Sequence, residues 1–310
     1  MNKVTVLGSL NVDTSFRIKS FPKPGETVQV SNKSNAAGGK GANQAVAAAR
    51  AGSKTAFIGQ IGNDSAGKFM LDSLEADNID GTYVSENKSV GTGTANIMLD
   101  EGGQNCILVY GGANQTLTDS DVQKAEPVIK DSDFIVAQFE TPQDAAITAF
   151  KIAKDNGVTT VLNPAPAPTS AINPELLKLT DIIVPNELES ASITGIKITD
   201  EDSMVATANK FTEMGVPNLI ITVGDKGAFY STKAGHDLIP AYKVKAVDTT
   251  AAGDTFIGAF VSQVKPDFSN IVSSIQFAEH ASSLTVQRLG AQPSIPKLEE
   301  ILKAVKESAS

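Results

Sequence analysis

The 310 residues predict an α/β fold: a mostly parallel β-sheet with helices on both faces, and a small antiparallel β-sheet beside it. Three observations carry the prediction. Short runs rich in β-branched residues end in Gly, Pro, Asn or Gln, as buried strands do. Helical patterns lie between those runs over roughly 200 residues, the rhythm of a parallel sheet. Two segments that alternate polar with apolar residues break that rhythm.

Taken in order, VTVLG at 4–8 is the first buried strand, and residues 12–36 follow as extended pieces joined by the turn PKPG. GGKGANQAVAAA at 38–49 leads into a helix that Gly52 stops. TAFIGQIG at 55–62 is a strand, and GKFMLDSLEADN after it is helical. Residues 91–110, GTGTANIMLDEGGQNCILVY, return to alternation around the turn DEGGQN. DFIVAQ at 133–138, TTVLNP at 159–164, DIIVPN at 181–186 and NLIITVG at 218–224 complete the predicted strands. Between them lie TPQDAAITAFKIAKDNG, stopped by Gly157, and SMVATANKFTEMG, ending at Gly215. DTTAAGDTF at 248–256 opens an apolar helical run. The chain then reads as a helix in FAEHASSLTVQR, a turn GAQPSIP and a terminal helix LEEILKAVKES. No repeat, low-complexity tract or linker divides it, so residues 1–310 are expected to form one domain, with 12–36 and 91–110 as a small sheet inserted within it. An apolar face on so small a sheet needs a partner, either the site it covers as a lid or another subunit.

Composition narrows the function. Apolar residues make up 41 % of the chain, enough for a substantial core, and the formal charge of −9 disfavours nucleic acid or an anionic membrane as partner. Cys106 is the only cysteine, which excludes an internal disulfide and fits a reducing compartment. No zinc pattern of Cys and His can be built, and no run approaches the ~20 apolar residues of a membrane helix. A soluble, cytoplasmic protein is expected.

Several motifs carry chemistry, each beside a plainer reading. In GGKGAN, glycines around Lys40 precede a helix start, whose free N–H groups with Lys40 and Asn43 can hold a polyol or a phosphate. An ordinary strand-to-helix turn explains the same glycines, and the Walker A spacing is absent. SLNVD places Asn11 and Asp13 on one face at the end of the first strand, either as a turn cap or as a hydrogen-bonding pair for adjacent hydroxyls. Glu140 follows a strand, where a loop acid or a hydroxyl acceptor is expected. Asn186 and Glu189 in VPNELE suit a capping box or a Mg²⁺ neighbourhood. The turn after NLIITVG, with Lys226 near, is either a hairpin turn or a phosphate cradle. Asp254 follows Ala251, Ala252 and Gly253 at a helix start, as a first-turn acid or a catalytic one. His236 and His280 are the only histidines, and neither is arranged with Ser or Cys as a base, which argues against a hydrolase triad.

GGKGANQAVAAA and DTTAAGDTF together, with SLNVD, FPKPGET, YGGAN, LNPAPA, VPNELE, ITVGDKG and GAQPS in order along nearly the whole chain, resemble the ribokinase-type family of carbohydrate kinases. The resemblance implies a doubly wound, mostly parallel α/β domain with a β lid that also makes a homodimer contact. It implies transfer of the ATP γ-phosphoryl group to the 5-hydroxyl of D-ribose, giving D-ribose 5-phosphate and ADP at the entry to the pentose phosphate pathway. Carried over by position, Asp254 becomes the base, and Ala251, Ala252 and Gly253 the anion hole. Asn11, Asp13, Gly39, Lys40, Gly41, Asn43 and Glu140 become the sugar site. Asn186, Thr222, Val223, Gly224, Asp225, Lys226, Gly227 and Gly253 line the ATP site, with Glu189 near Mg²⁺ and phosphate. Oxygens of Asp248, Thr250, Thr285, Arg288, Gly290 and Ser294 are expected around a monovalent cation, usually K⁺. One departure stands at the adenine contact, where many members carry Asn and this chain has Glu279 followed by His280. Other acceptors within the family, such as deoxyribose, fructose or adenosine, are the alternative expectation. A sugar-binding regulator without catalysis is the more distant one, and the presence of Asp254 speaks against it.

Overall fold

The computed structural model describes residues 1–308. In chain order its strands are β1 (Lys3–Leu7), β2 (Asn11–Arg17), β3 (Asn32–Gly38), β4 (Lys54–Gly62), β5 (Asp80–Asn87), β6 (Gly93–Leu99), β7 (Asn105–Tyr110), β8 (Phe134–Ala137), β9 (Thr159–Leu162), β10 (Ile182–Ile183), β11 (Asn218–Thr222), β12 (Ala228–Thr232) and β13 (Gly235–Ile239). Its helices are α1 (Lys40–Arg50), α2 (Ser65–Ala76), α3 (Asp119–Lys124), α4 (Glu126–Lys130), α5 (Gln143–Asp155), α6 (Pro174–Lys178), α7 (Glu187–Thr194), α8 (Glu201–Glu213), α9 (Ala252–Gln263), α10 (Ile271–Thr285) and α11 (Leu298–Ser308).

Nine of these strands form one sheet in the order β13-β12-β11-β10-β9-β8-β1-β4-β5. From β5 to β11 every pairing is parallel, and β12 and β13 add an antiparallel edge. Both faces are covered, and the central strands β1, β8 and β9 bury successive side chains on opposite sides. Phe134 and Val136 of β8 pack into one core with α1, α9 and α10, while Ile135 and Ala137 pack into a second with α5 and α8. Chain order reverses at β1, which sits between β4 and β8. A doubly wound sheet leaves a crevice at that switch point, beyond the carboxyl ends of its strands.

The expected helix stops hold. Gly52, Gly157 and Gly215 follow α1, α5 and α8 with φ of 104°, 74° and 102°, a region costly for a residue with Cβ. One sheet element has no counterpart in the sequence reading, and another was expected only as an alternative. Strand β5, DGTYVSEN, is a polar edge strand without an apolar run. Strand β12 pairs antiparallel with β11, so the turn after NLIITVG is a hairpin turn, and β13 extends the same edge.

The small sheet has the order β3-β2-β6-β7 and corrects one expectation. It is mixed rather than antiparallel, because its central pair, β2 with β6, is parallel. The physical reason is local: β2 continues from β1 and β6 from β5, two parallel strands of the main sheet, so both enter the small sheet in the same direction. DEGGQN does make the tight turn between β6 and β7, closed by Asp100 N–H to the Gln104 carbonyl at 3.0 Å. PKPG does not join β2 to β3 directly. It is a turn inside the longer link 18–31, closed by Glu26 N–H to the Lys23 carbonyl at 2.9 Å. No helix among the described residues is long and apolar enough to cross a membrane.

Candidate active site

The carboxyl ends of five parallel strands converge on one place. Ser9 follows β1, Glu140 follows β8, Asn163 follows β9, Asn186 follows β10, and Thr222 ends β11. Two helices, α1 and α9, point their N-termini at the same place. They enclose a cavity of about 180 Å³ lined by Lys40, Asn163, Asn186, Glu189, Thr222, Ala251, Gly253 and Asp254, among others.

Asp254 sits in the first turn of α9 with only 8 % of its surface exposed. Both of its carboxylate oxygens are held: Asn43 Nδ2 donates to Oδ2 at 3.1 Å and Gln44 Nε2 donates to Oδ1 at 3.0 Å. Ala251 begins the helix in the left-handed region, with φ 59° and ψ 11°, a conformation that costs energy for a non-glycine residue. That turn faces the helix amides outward. Among the described residues, the N–H groups of Gly253 and Asp254 have no acceptor within the chain, and a Cβ added at Gly253 would meet no atom within 4 Å. A helix N-terminus with two free amides and open space beside it is an anion site.

On the side of the cavity next to β1 and β2, the glycines of GGKG have a packing reason. Gly39 has φ 90°, and a Cβ there would lie 2.9 Å from the Ser9 carbonyl oxygen, while one at Gly41 would lie 2.5 Å from the Ser9 nitrogen. The loop is therefore pressed against the turn SLN, which brings Gly38 against the Asp13 carboxyl and Gly39 against the Asn11 backbone amide. Glu140 Oε2 accepts from Ser9 Oγ at 2.5 Å and from Lys40 N–H at 2.9 Å, so it anchors the start of α1. Asn11 Oδ1 accepts from Asn114 Nδ2 at 2.8 Å, which leaves its own amide hydrogens for another acceptor. The Asp13 carboxyl makes no hydrogen bond among the described residues, and burial, with the charges of Glu140 and Asp254, pushes it up to about 7. Burial works against the Lys40 ammonium, yet Asp254, Glu140 and Glu189 outweigh it and hold its pKa above the usual lysine value. Asn43 Oδ1 is buried without a donor.

On the opposite side, Asn186 and Glu189 form the capping box of α7, with Asn186 N–H to Glu189 Oε2 and Glu189 N–H to Asn186 Oδ1 both at 2.8 Å. Burial raises the Glu189 carboxyl, opposed by that cap bond and by Lys40. Thr222 is bridged to Asn186. Val223 points into the core, Gly224, Asp225 and Lys226 are exposed, and Gly227 has φ 114° with its Cβ position 2.0 Å from the Ile239 carbonyl oxygen. Glu279 does not line the cavity. It lies in α10, where burial pushes its carboxyl up to about 7 and its charge is felt by Tyr242, whose ring stacks on His280 at 3.5 Å.

Of the residues expected at a cation, the structure joins three directly. Asp248 accepts from Thr250 N–H at 2.9 Å, Thr250 Oγ1 at 2.6 Å and Gly290 N–H at 2.9 Å. Burial pushes its carboxyl up, but these bonds win and hold it below the usual carboxylate range. Arg288 directs its guanidinium to Glu300 at 2.5 Å, so only its backbone carbonyl can face a cation. Thr285 Oγ1 donates to Thr255 Oγ1 and Ser294 Oγ to the Ala291 carbonyl, both buried. Among the described residues no three His, Cys, Asp or Glu side chains cluster as a metal site.

The sequence reading missed the buried amides Gln44, Gln138, Asn163 and Asn114. Their signal was present in outline for three of them: Gln44, Gln138 and Asn163 are polar residues in stretches otherwise fit for the core, and Gln44 is the residue after GGKGAN, whereas Asn114 stands in the polar segment YGGANQT.

The family model for pfkB family carbohydrate kinases matches residues 1–298, and the chain belongs to that family. A ribokinase from Staphylococcus aureus is 50 % identical over 301 residues, covering 97 % of this chain and 98 % of the relative. A bifunctional ribokinase/ribose-5-phosphate isomerase A from Fructilactobacillus sanfranciscensis is 50 % identical over 308 residues; these cover 98 % of this chain but 56 % of that longer protein. The structure of Arabidopsis thaliana ribokinase complexed with ribose and ATP superposes with a TM-score of 0.92 at 32 % identity, covering 98 % of this chain and 99 % of the other.

Of the raised carboxyls, the two pushed up to about 7 predict a pH dependence. Asp13 and Glu279 titrate near 7 when folded and near their ordinary values of 3.8 and 4.5 when unfolded, so the folded chain holds extra protons between those limits. Stability of the ligand-free chain therefore falls as pH rises from about 4 to about 7. Urea unfolding across that range should show the fall, and Asp13→Asn with Glu279→Gln should flatten it. An unchanged slope in the double variant contradicts the assignment.

Proposed function

We propose that the chain transfers the γ-phosphoryl group of ATP to the 5-hydroxyl of D-ribose, giving D-ribose 5-phosphate and ADP. The observation that carries this reading is Asp254: a buried carboxylate fixed by two amides at the head of a helix whose next free N–H groups face open space. Similarity over nearly the full length to ribokinases supports ribose as the acceptor.

Phosphoryl transfer passes through a loose transition state, so alignment and preorganised charge matter most. Asp254 orients the hydroxyl and takes its proton as the O–P bond forms. The Gly253 and Asp254 amides, with Lys40, offset charge on the transferring group and on the departing ADP oxygen. Asp13 accepts from sugar hydroxyls, Asn11 donates through its free amide hydrogens, and the unpartnered Asn43 Oδ1 accepts a further one. The turn from Thr222 to Gly227, with Asn186, borders the nucleotide; Val223 contributes backbone alone, and Glu279 reaches the base only from within α10. Magnesium fits the open side of the site near Glu189, but one oxygen of that residue serves the α7 cap, so phosphates and water would supply most of its ligands. When bound, the metal would neutralise phosphate charge. A monovalent ion such as K⁺ fits the oxygens around Asp248, Thr250, Thr285, Arg288, Gly290 and Ser294, where one carboxylate gives modest charge.

The reading treats residues 1–310 as one kinase domain. It extends to a homodimer through the small sheet, whose edge strand β7 exposes Ile107, Leu108, Val109 and Tyr110 at 49–63 %. An ATP donor and a single exposed cysteine fit a reducing, cytoplasmic setting.

Ribose-dependent ATP consumption tests the central step. Asp254→Asn should leave ribose binding nearly intact while turnover falls by roughly 10²–10⁴; wild-type turnover removes Asp254 from its role. The same assay run in KCl should exceed that in NaCl, and equal rates argue against the cation site. Sedimentation velocity should return a dimer, with a monomer at every concentration ruling out the β7 contact.

A further inference from the structure

We infer that Gln44 is a positioning residue for phosphorylation, holding the plane of the Asp254 carboxylate through a chain of buried amides whose polarity is fixed at both ends. The inference rests on the proposed role of Asp254.

Gln44, Gln138 and Asn163 are buried, and they come from α1, the end of β8 and the end of β9. Gln44 Nε2 donates to Asp254 Oδ1 and to Asn163 Oδ1, both at 3.0 Å. Its Oε1 accepts from Gln138 Nε2 at 2.7 Å, and Asn163 Nδ2 donates to the Val184 carbonyl at 2.8 Å. An amide can be turned end for end, so such contacts are ambiguous one at a time. Here they are not. The Val184 carbonyl can only accept, which sets Asn163, and an ionised carboxylate can only accept, which sets Gln44. Gln138 is then obliged to present its nitrogen, and every link agrees.

That agreement has a visible cost. Gln138 Oε1 is buried without a donor, pressed against Gly8, where a Cβ would lie 2.3 Å from it. Turning Gln138 would satisfy nothing and would set nitrogen aside from the Gln44 oxygen. A buried orphan acceptor is rare, and it is placed where the chain keeps a donor aimed at Asp254. Asn43 holds the other oxygen, so the carboxylate cannot rotate about its Cβ–Cγ bond without losing both bonds. The role is alignment, since Gln44 does not line the cavity.

The charged groups coupled to Asp254 are Lys40 of α1, Asp13 of β2 and Glu189 of α7, with Glu140 beyond β8 acting on the first two. None of them is bonded to Gln44. A near-isosteric acid at position 44 therefore adds one new ionisation in direct contact with Asp254, and the two carboxyls share a proton.

Two variants test the role by steady-state kinetics, with thermal melting to confirm folding. Gln44→Met removes the donor at similar volume and should lower kcat by about 10–100-fold while ribose KM stays within about threefold, as a misaligned catalytic group does. Gln44→Glu can return the hydrogen bond only while protonated. Its kcat should lie within about tenfold of wild type near pH 6 and fall a further tenfold or more by pH 9, a profile that lost packing would not give. Wild-type kcat in Gln44→Met, or a Gln44→Glu pH profile parallel to wild type, overturns the proposal. Asp254→Asn run alongside separates the failures: if it loses turnover while both Gln44 variants keep theirs, Gln44 alone is wrong, and if it keeps turnover the reading of Asp254 falls and takes this role with it.

Discussion

Gly258 of α9 lies so close to α1 that a methyl group there would sit 2.4 Å from the Ala47 Cβ and 2.6 Å from the Ala48 nitrogen. On the other flank of the same helix, Gly41 is wedged against the β1 turn, its Cβ position 2.6 Å from the Gly8 Cα. Helix α1 is thus held between a strand end and a second helix at distances that side chains forbid. Asn43 and Gln44 reach Asp254 only because of that approach. Their bonds of 3.1 and 3.0 Å leave no slack, so a separation of one ångström between the helices would break both.

The same packing gathers charge that would otherwise not assemble. Glu140, Glu189 and Asp254 act on a single lysine, Asp13 feels Glu140 and Asp254, and burial raises Asp13 and Glu189. What makes the cluster tolerable is the backbone. Glu140 takes the Lys40 amide at the start of α1, Glu189 caps α7, and Asp254 stands in the first turn of α9, so three helix N-termini face the acids. The amides of Gly253 and Asp254 are left over, directed at open space. A site that balances its acids with helix ends has donors to spare for an incoming anion.

Much of this was legible in the sequence, for an identifiable reason. The parallel strands, the helix stops and both motif loops are local patterns, and Lys40, Asn43 and Asp254 fall within them. Strand β5 was not legible because an edge strand with polar residues lacks the apolar run of a buried one. The mixed small sheet was missed because pairing direction is inherited from β1 and β5, which no pattern inside the segments records. The amides Gln44, Gln138 and Asn163 lie 94 and 119 positions apart along the chain, and only the fold brings them together. Capping and the proposed roles fall on the same residues. Asn186 and Glu189 form a full capping box, and Asp254 is both a first-turn acid and the residue around which the cavity is built.

The central claim is that Asp254 is aligned on one primary hydroxyl of a sugar held by the Asn11–Asp13 side of the site. It is tested most directly by where the phosphate arrives. With ribose labelled with ¹³C at every carbon, ATP and the wild-type chain, the product's C5 resonance should acquire coupling to phosphorus and C1 should not. Coupling at C1, or no phosphorylated sugar at all, would contradict the account.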